Sequence, residues 1–199
     1  YYGLVARIPN PSWIWKKDGQ KYPILTDDSL KLNVYGDMGD VWEFADDYKE
    51  NIIDMDLSKT KVTCLEKGPL RWVINVETFF EDLDSSFSTN FILYHQIDAL
   101  YVETTIDPKD PAITVKMQAN LGFESNFSEA EIPFATIKRP TQPKSLYEKC
   151  RDELNCQTFV CFESASQNPG VTFINEGKYG FSTEQNKIEL TIFRKQRYP

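Results

Sequence analysis

With 199 residues, 41% of them apolar and 14% aromatic, the chain is long enough for one large β domain or two small ones, and its core-forming side chains exclude wholesale disorder. A net charge of −8 argues against nucleic acid and against an anionic membrane surface as partners. No stretch approaches the roughly 20 apolar residues of a membrane span.

Residues 1–29 are punctuated by Pro9, Pro11 and Pro23 and sustain no period. They read as an irregular connector or peripheral ribbon, in which Trp13 and Trp15 offer an apolar contact to a neighbour. Residues 30–199 read as a β-sandwich domain. Leu32 and Val34 alternate with Lys31, Asn33 and Tyr35. Gly36, Asp37 and Gly39 then mark a loop leading into an acidic and aromatic run, Val41 to Tyr48, without a clean period. Strands are predicted over 61–66 and 70–80, separated by Lys67-Gly68-Pro69, with Trp72, Ile74 and Val76 on one face of the second. Further strands follow over 87–94 and at Leu100, Val102, Thr104 and Ile106. After a proline-bearing turn over 107–111, Ile113, Val115, Met117 and Ala119 alternate with Thr114, Lys116 and Gln118. A strand over 128–137 is weakened by Pro133, and residues 145–154 have the composition for two helical turns. Strands near 158–162, 171–175 and 179–182 precede a closing strand over 187–194, with Gln185-Asn186 as the hairpin turn. About ten strands joined by short turns predict an antiparallel sandwich or barrel.

Most catalytic chemistries find no residues here. His95 is the one histidine, and a lone imidazole near a strand end reads as a surface or hydrogen-bonded residue, since a catalytic zinc normally takes several protein ligands. There is no Gly-x-Ser-x-Gly elbow, no glycine-rich phosphate loop and no calcium loop. Cys64, Cys150, Cys156 and Cys161 lack zinc-knuckle spacing and read as reduced structural thiols, with a Cys150–Cys156 disulfide as the alternative. A cytoplasmic setting is expected, although the Asn126-Phe127-Ser128 sequon would matter in a secreted protein. Carboxylates remain. Asp37, Asp40, Glu43, Asp46 and Asp47 crowd Trp42 and Phe44, as in sugar sites where a ring covers an apolar sugar face and an acid accepts hydroxyl bonds. The same cluster also reads as a solvated acidic loop whose aromatics plug the core.

Several stretches resemble glycoside hydrolase family 38, the α-mannosidases. Asn175-Glu176-Gly177-Lys178-Tyr179-Gly180-Phe181, followed by Lys187 to Arg194, is similar to the family's Lys-Tyr-Gly motif and its closing Leu-Leu-Arg strand, with Tyr198-Pro199 at the motif's end. Ile137-Lys138-Arg139-Pro140-Thr141, Glu66-Lys67-Gly68-Pro69-Leu70-Arg71, Gly39-Asp40-Val41-Trp42-Glu43-Phe44 and the strand pair over 100–120 also resemble family segments, in the family's order. One departure is Asp107-Pro108, where the family carries Trp.

The resemblance implies an all-β, antiparallel supersandwich of the galactose-mutarotase-like kind, with little helix. It implies the β region downstream of a catalytic domain that hydrolyses α-mannosides with retention. The expected zinc, nucleophile and acid/base residues belong to that N-terminal domain and have no counterpart here, so the chain alone is expected to be inactive and to bind no cofactor. Its implied partners are the catalytic domain of the same enzyme and an α-mannoside. Within it, Asp40, Trp42, Asp46 and Arg194 are the candidates for facing the substrate cleft, Trp42 by stacking on sugar or plugging the interface. Two competing readings are a stand-alone carbohydrate-binding module and a metal-free hydrolase working through Asp40 and Glu43.

Overall fold

In a computed structural model, residues 3–7, 10–17, 19–45, 47–109, 112–149, 151, 153–166 and 170–197 are described. The prolines of the first segment do not prevent strands. β1 (Gly3–Arg7), β2 (Asn10–Lys17) and β3 (Gln20–Leu25) form a three-stranded antiparallel sheet in that order. Irregular backbone was expected here; Pro11 and Pro23 instead lie within paired strands. Pro11 lies where β2 has only β1 beside it, and Pro23 is on the edge strand β3 next to a register shift at Trp13/Ile14. Trp15 packs on Tyr22 with centroids 5.6 Å apart.

Two strands differ from the half-buried pattern suggested by their alternation. β4 (Lys31–Gly36) is buried from Leu32 to Tyr35. After a 3-10 turn at Tyr48–Glu50 and β5 (Ile52–Ile53), the meander β6 (Asp56–Lys67), β7 (Arg71–Phe80), β8 (Ser85–Tyr94) and β9 (Leu100–Thr105) pairs in sequence order. β10 (Ile113–Asn120) is then buried from Ile113 to Ala119 on both faces. Its alternation therefore separates an apolar buried face from a polar buried face, rather than core from solvent.

The proline at 133 makes a hairpin rather than weakening a strand. β11 (Phe127–Ile132) and β12 (Ala135–Pro140) pair across Pro133-Phe134, with Phe134 in the left-handed region at φ 64°. The two helical turns expected over 145–154 shrink to one, α1 (Leu146–Lys149), opened by a reciprocal cap in which Ser145 N donates to Glu148 Oε2 and Glu148 N to Ser145 Oγ. A single turn fixes many dihedrals for few bonds, which favours its early end. The remaining strands are β13 (Leu154–Asn155), β14 (Phe159–Phe162), β15 (Val171–Ile174), β16 (Gly180–Glu184) and β17 (Lys187–Lys195). β16 and β17 join through Gln185-Asn186, as the sequence indicated.

The described residues are almost wholly antiparallel β, the predicted fold class. They divide into two compact units. One comprises Tyr1–Asn33 with Val115–Arg194, the other Val34–Thr114 with Lys195–Pro199. The first holds the β1-β2-β3 sheet, the β12-β11-β14-β15 sheet and the order β13-β16-β17-β10-β4; the second holds β6-β7-β8-β9 and the β4–β5 pair. Among the described residues no helix is long and apolar enough to cross a membrane.

Candidate functional site

The acidic loop after β4 is built by its own carboxylates. Asp37 is fully buried; its Oδ2 accepts from Thr114 Oγ1 at 2.8 Å and its Oδ1 from Gly39 N at 2.9 Å, while its N–H donates to Ala112 O. Asp40 Oδ1 accepts from Trp42 N at 2.7 Å and Glu43 N at 3.1 Å, so this acid turns the chain as an Asx motif does. Phe44 stacks on Tyr48 with centroids 4.5 Å apart, and buried Tyr48 meets Tyr35 edge-on at 5.6 Å. Trp42 is 91% exposed. The core-plugging role therefore falls to Phe44 and Tyr48, and Trp42 presents its ring to solvent.

Of the four candidate residues, Asp40 and Trp42 share this loop, and Asp46 lies outside the described residues. Arg194 is half-buried near the end of β17, in the other compact unit. Trp42→Ala is expected to leave the chain's unfolding free energy within about 0.5 kcal/mol of the parent in urea titration, because exposed positions away from packing contribute little. A larger loss would mean that the ring is packed.

The polar face of β10 carries the groups that reasoning along the sequence missed. Lys116 is fully buried and its Nζ pairs with Glu153 Oε2; Thr191 Oγ1 donates to the other carboxylate oxygen, Oε1. Gly180, of the Lys-Tyr-Gly motif, lies against that carboxylate. A Cβ there would overlap Glu153 Oε1 and come within 3.2 Å of Thr191 Cβ. Two residues along β10, Gln118 Oε1 accepts from Asn33 Nδ2 at 2.8 Å, and the same amide donates to Glu189 Oε1 at 2.7 Å. Gln118 O also accepts from Leu30 N at 2.6 Å, holding Leu30 at φ 58°. All these groups are hydrogen-bonded, as burial requires, and they lock strands rather than present chemistry.

Two family-like motifs have local structural work. In Glu66 to Arg71 the guanidinium Nε and Nη2 donate to Glu66 Oε2 at 2.8 and 2.7 Å across the Gly68-Pro69 turn, which holds the Glu66 carboxyl below its ordinary pKa. In Asn175 to Gly180, Asn175 Oδ1 accepts from Lys178 N at 3.0 Å around Gly177 at φ 74°, and Asn175 Nδ2 reaches Cys156 Sγ at 3.3 Å. Burial pushes the Cys156 thiol up. Cys64, Cys156 and Cys161 are free thiols, so Cys156 makes no disulfide; Cys150 lies outside the described residues.

Among the described residues no three His, Cys, Asp or Glu side chains gather as a metal set. His95 is exposed in the turn after β8, its N–H donating to Leu70 O at 2.7 Å. The described residues therefore offer no set that fits a zinc centre.

The antiparallel β-sandwich fold is shared with a solved α-mannosidase from Enterococcus faecalis: 94% of this chain superposes on 24% of that one at a TM-score of 0.77 and 17% identity. The model of the Glycosyl hydrolases family 38 C-terminal domain matches residues 13–199, and the chain belongs to that family. It is similar to α-mannosidase G of Dictyostelium discoideum, 25% identical over 191 residues, and to an α-mannosidase of Saccharomyces cerevisiae, 28% identical over 99 residues. The matched region is 92% of this chain but 17% of the Dictyostelium protein, and 49% of this chain but 9% of the yeast protein.

Proposed function

We propose that the chain is the noncatalytic β portion of a family 38 α-mannosidase, packing on and helping to wall the active-site cleft of a separate zinc-dependent domain that hydrolyses α-mannosides with retention. The observation that carries this reading is the match of the C-terminal family model to residues 13–199 of a chain with a single, exposed histidine. Zinc belongs, on this reading, to the other domain. Trp42, 91% exposed beside the Asp40 turn, is the group offered toward the cleft, with Arg194 the second candidate. Asp40 and Glu43 as a metal-free catalytic pair is disfavoured, since one Asp40 oxygen already accepts two backbone N–H groups. A cytoplasmic setting accompanies the proposal, supported by three free thiols, of which Cys64 is exposed.

The purified chain, assayed with an aryl α-mannoside with and without added zinc, is expected to release no aglycone above buffer. Zinc-dependent turnover that survives repurification would overturn the proposal. The exposed Trp42 ring also favours a second reading, sugar binding by the chain alone. Calorimetric titration with mannobiose decides it: saturable heat supports binding, and a flat trace removes it.

A further inference from the structure

One face of the β6–β9 sheet is apolar beyond the point where this chain covers it. The pairing register sets Cys64 beside Ile74, Ile74 beside Phe91, and Phe91 beside Val102, so these four share a face with Trp72 and Leu93 one rung further along. Toward the other end of the same face, Phe80 and Phe87 are completely buried. Toward Trp72 the face opens. Trp72 is 43% exposed and Val102 37%, and Leu70 and Ile97 in the adjoining turns are 76% and 43% exposed. Cys64 is exposed as well. On the opposite face at this level Val73 and Ile92, paired across β7 and β8, are buried, while beside them Asn75 donates to Ser88 and Asn90 and Glu66 pairs with Arg71. Large apolar groups gathered on one side of a sheet mark a contact surface, whereas singly scattered ones do not.

We infer that this end of the sheet, comprising Cys64, Leu70, Trp72, Ile74, Ile97 and Val102, is the surface on which the remainder of the mannosidase polypeptide docks. The inference rests on the proposed reading of the chain as one part of a longer enzyme. Two observations select this occupant over a second copy or a soluble ligand. The matched fold is 24% of the solved Enterococcus chain and 17% of the Dictyostelium protein, so most of such a polypeptide lies outside it. The exposed groups also form an aliphatic and aromatic surface around Trp72, whose ring carries the Lys67 ammonium 5.1 Å from its centroid.

Cys64 provides the test and Cys156, 1% exposed, its internal control. Maleimide labelling, resolved by peptide mass spectrometry, is run on residues 1–199 alone and on the longer polypeptide carrying the catalytic domain. Cys64 is expected to label readily in the short chain and at least about tenfold more slowly in the long one, as buried interface centres exclude solvent. Cys156 is expected to stay unlabelled in both, reporting intact folding. Equal Cys64 rates would overturn the inference. So would protection in the short chain that grows with its concentration, which assigns the face to a second copy. Within the long polypeptide, Trp72→Glu is expected to restore Cys64 labelling to near the short-chain rate, and no change there also overturns it, whether or not the short chain folds alone. Hydrolysis by residues 1–199 alone would defeat the functional reading without altering these rates, so the two failures are distinguishable.

Discussion

Replacing Lys116 by Met is expected to lower the stability of the chain by about 3 kcal/mol, read as a fall of about 1 M in the urea midpoint. Lys116 has no exposed surface, and its ammonium is matched by the Glu153 carboxylate, which is 19% exposed and also accepts from Thr191. Removing the cation leaves a largely buried carboxylate with one hydroxyl donor. The loss in such cases comes mainly from the stranded charge rather than from the missing attraction. Lys116→Met combined with Glu153→Gln is therefore expected to recover much of the loss. If the double variant is as unstable as Lys116→Met, the buried charge is not the cause.

Gly180→Ala is expected to cost about 2 kcal/mol by overpacking. The strain is steric, since the added methyl would overlap the Glu153 carboxylate on one side and crowd Thr191 on the other. β16 and β17 pair through Phe181 and Leu190, and Phe181 is completely buried, so the backbone at 180 has little room to withdraw. The way out is for Glu153 to move, which breaks its bond to Lys116. The two substitutions should therefore be coupled: in the Lys116→Met background the cost of Gly180→Ala falls by about 1 kcal/mol or more. Strict additivity in a urea double-mutant cycle would show that Gly180 is required for another reason.

These residues also show where sequence reasoning succeeds and where it stops. Period-two alternation was sufficient to find β7 to β10 and β17, and Gly68-Pro69 and Gln185-Asn186 marked their turns, because those signals are local. The strands over 3–7, 10–17 and 20–25 escaped because Pro11 and Pro23 lie within them, and a local reading takes proline as a break before the sheet is known. Pro133 was legible as a break but not as a two-residue hairpin. For β10, alternation was read correctly and its meaning was not: both faces are buried, and the polar face finds partners far away in sequence. Lys116 meets Glu153 at a separation of 37 positions, and Asp37 meets Thr114 at 77. The acids around Trp42 were visible as a cluster. Their division into loop-building Asp37 and Asp40 and an outward-facing Trp42 required coordinates. Family-like motifs were legible as patterns, while the reasons for them, a guanidinium–carboxylate clasp across Gly68-Pro69 and a glycine beneath Glu153, emerge only once the strands are paired.

Reconstitution tests the assignment most directly. The catalytic portion of the enzyme, expressed without this region, is mixed with increasing purified chain, and hydrolysis of an α-mannoside is followed. The account predicts that each component alone is inactive or nearly so and that activity rises to a plateau as the chain is added. Full activity of the catalytic portion without the chain, or turnover by the chain with nothing added, would contradict it.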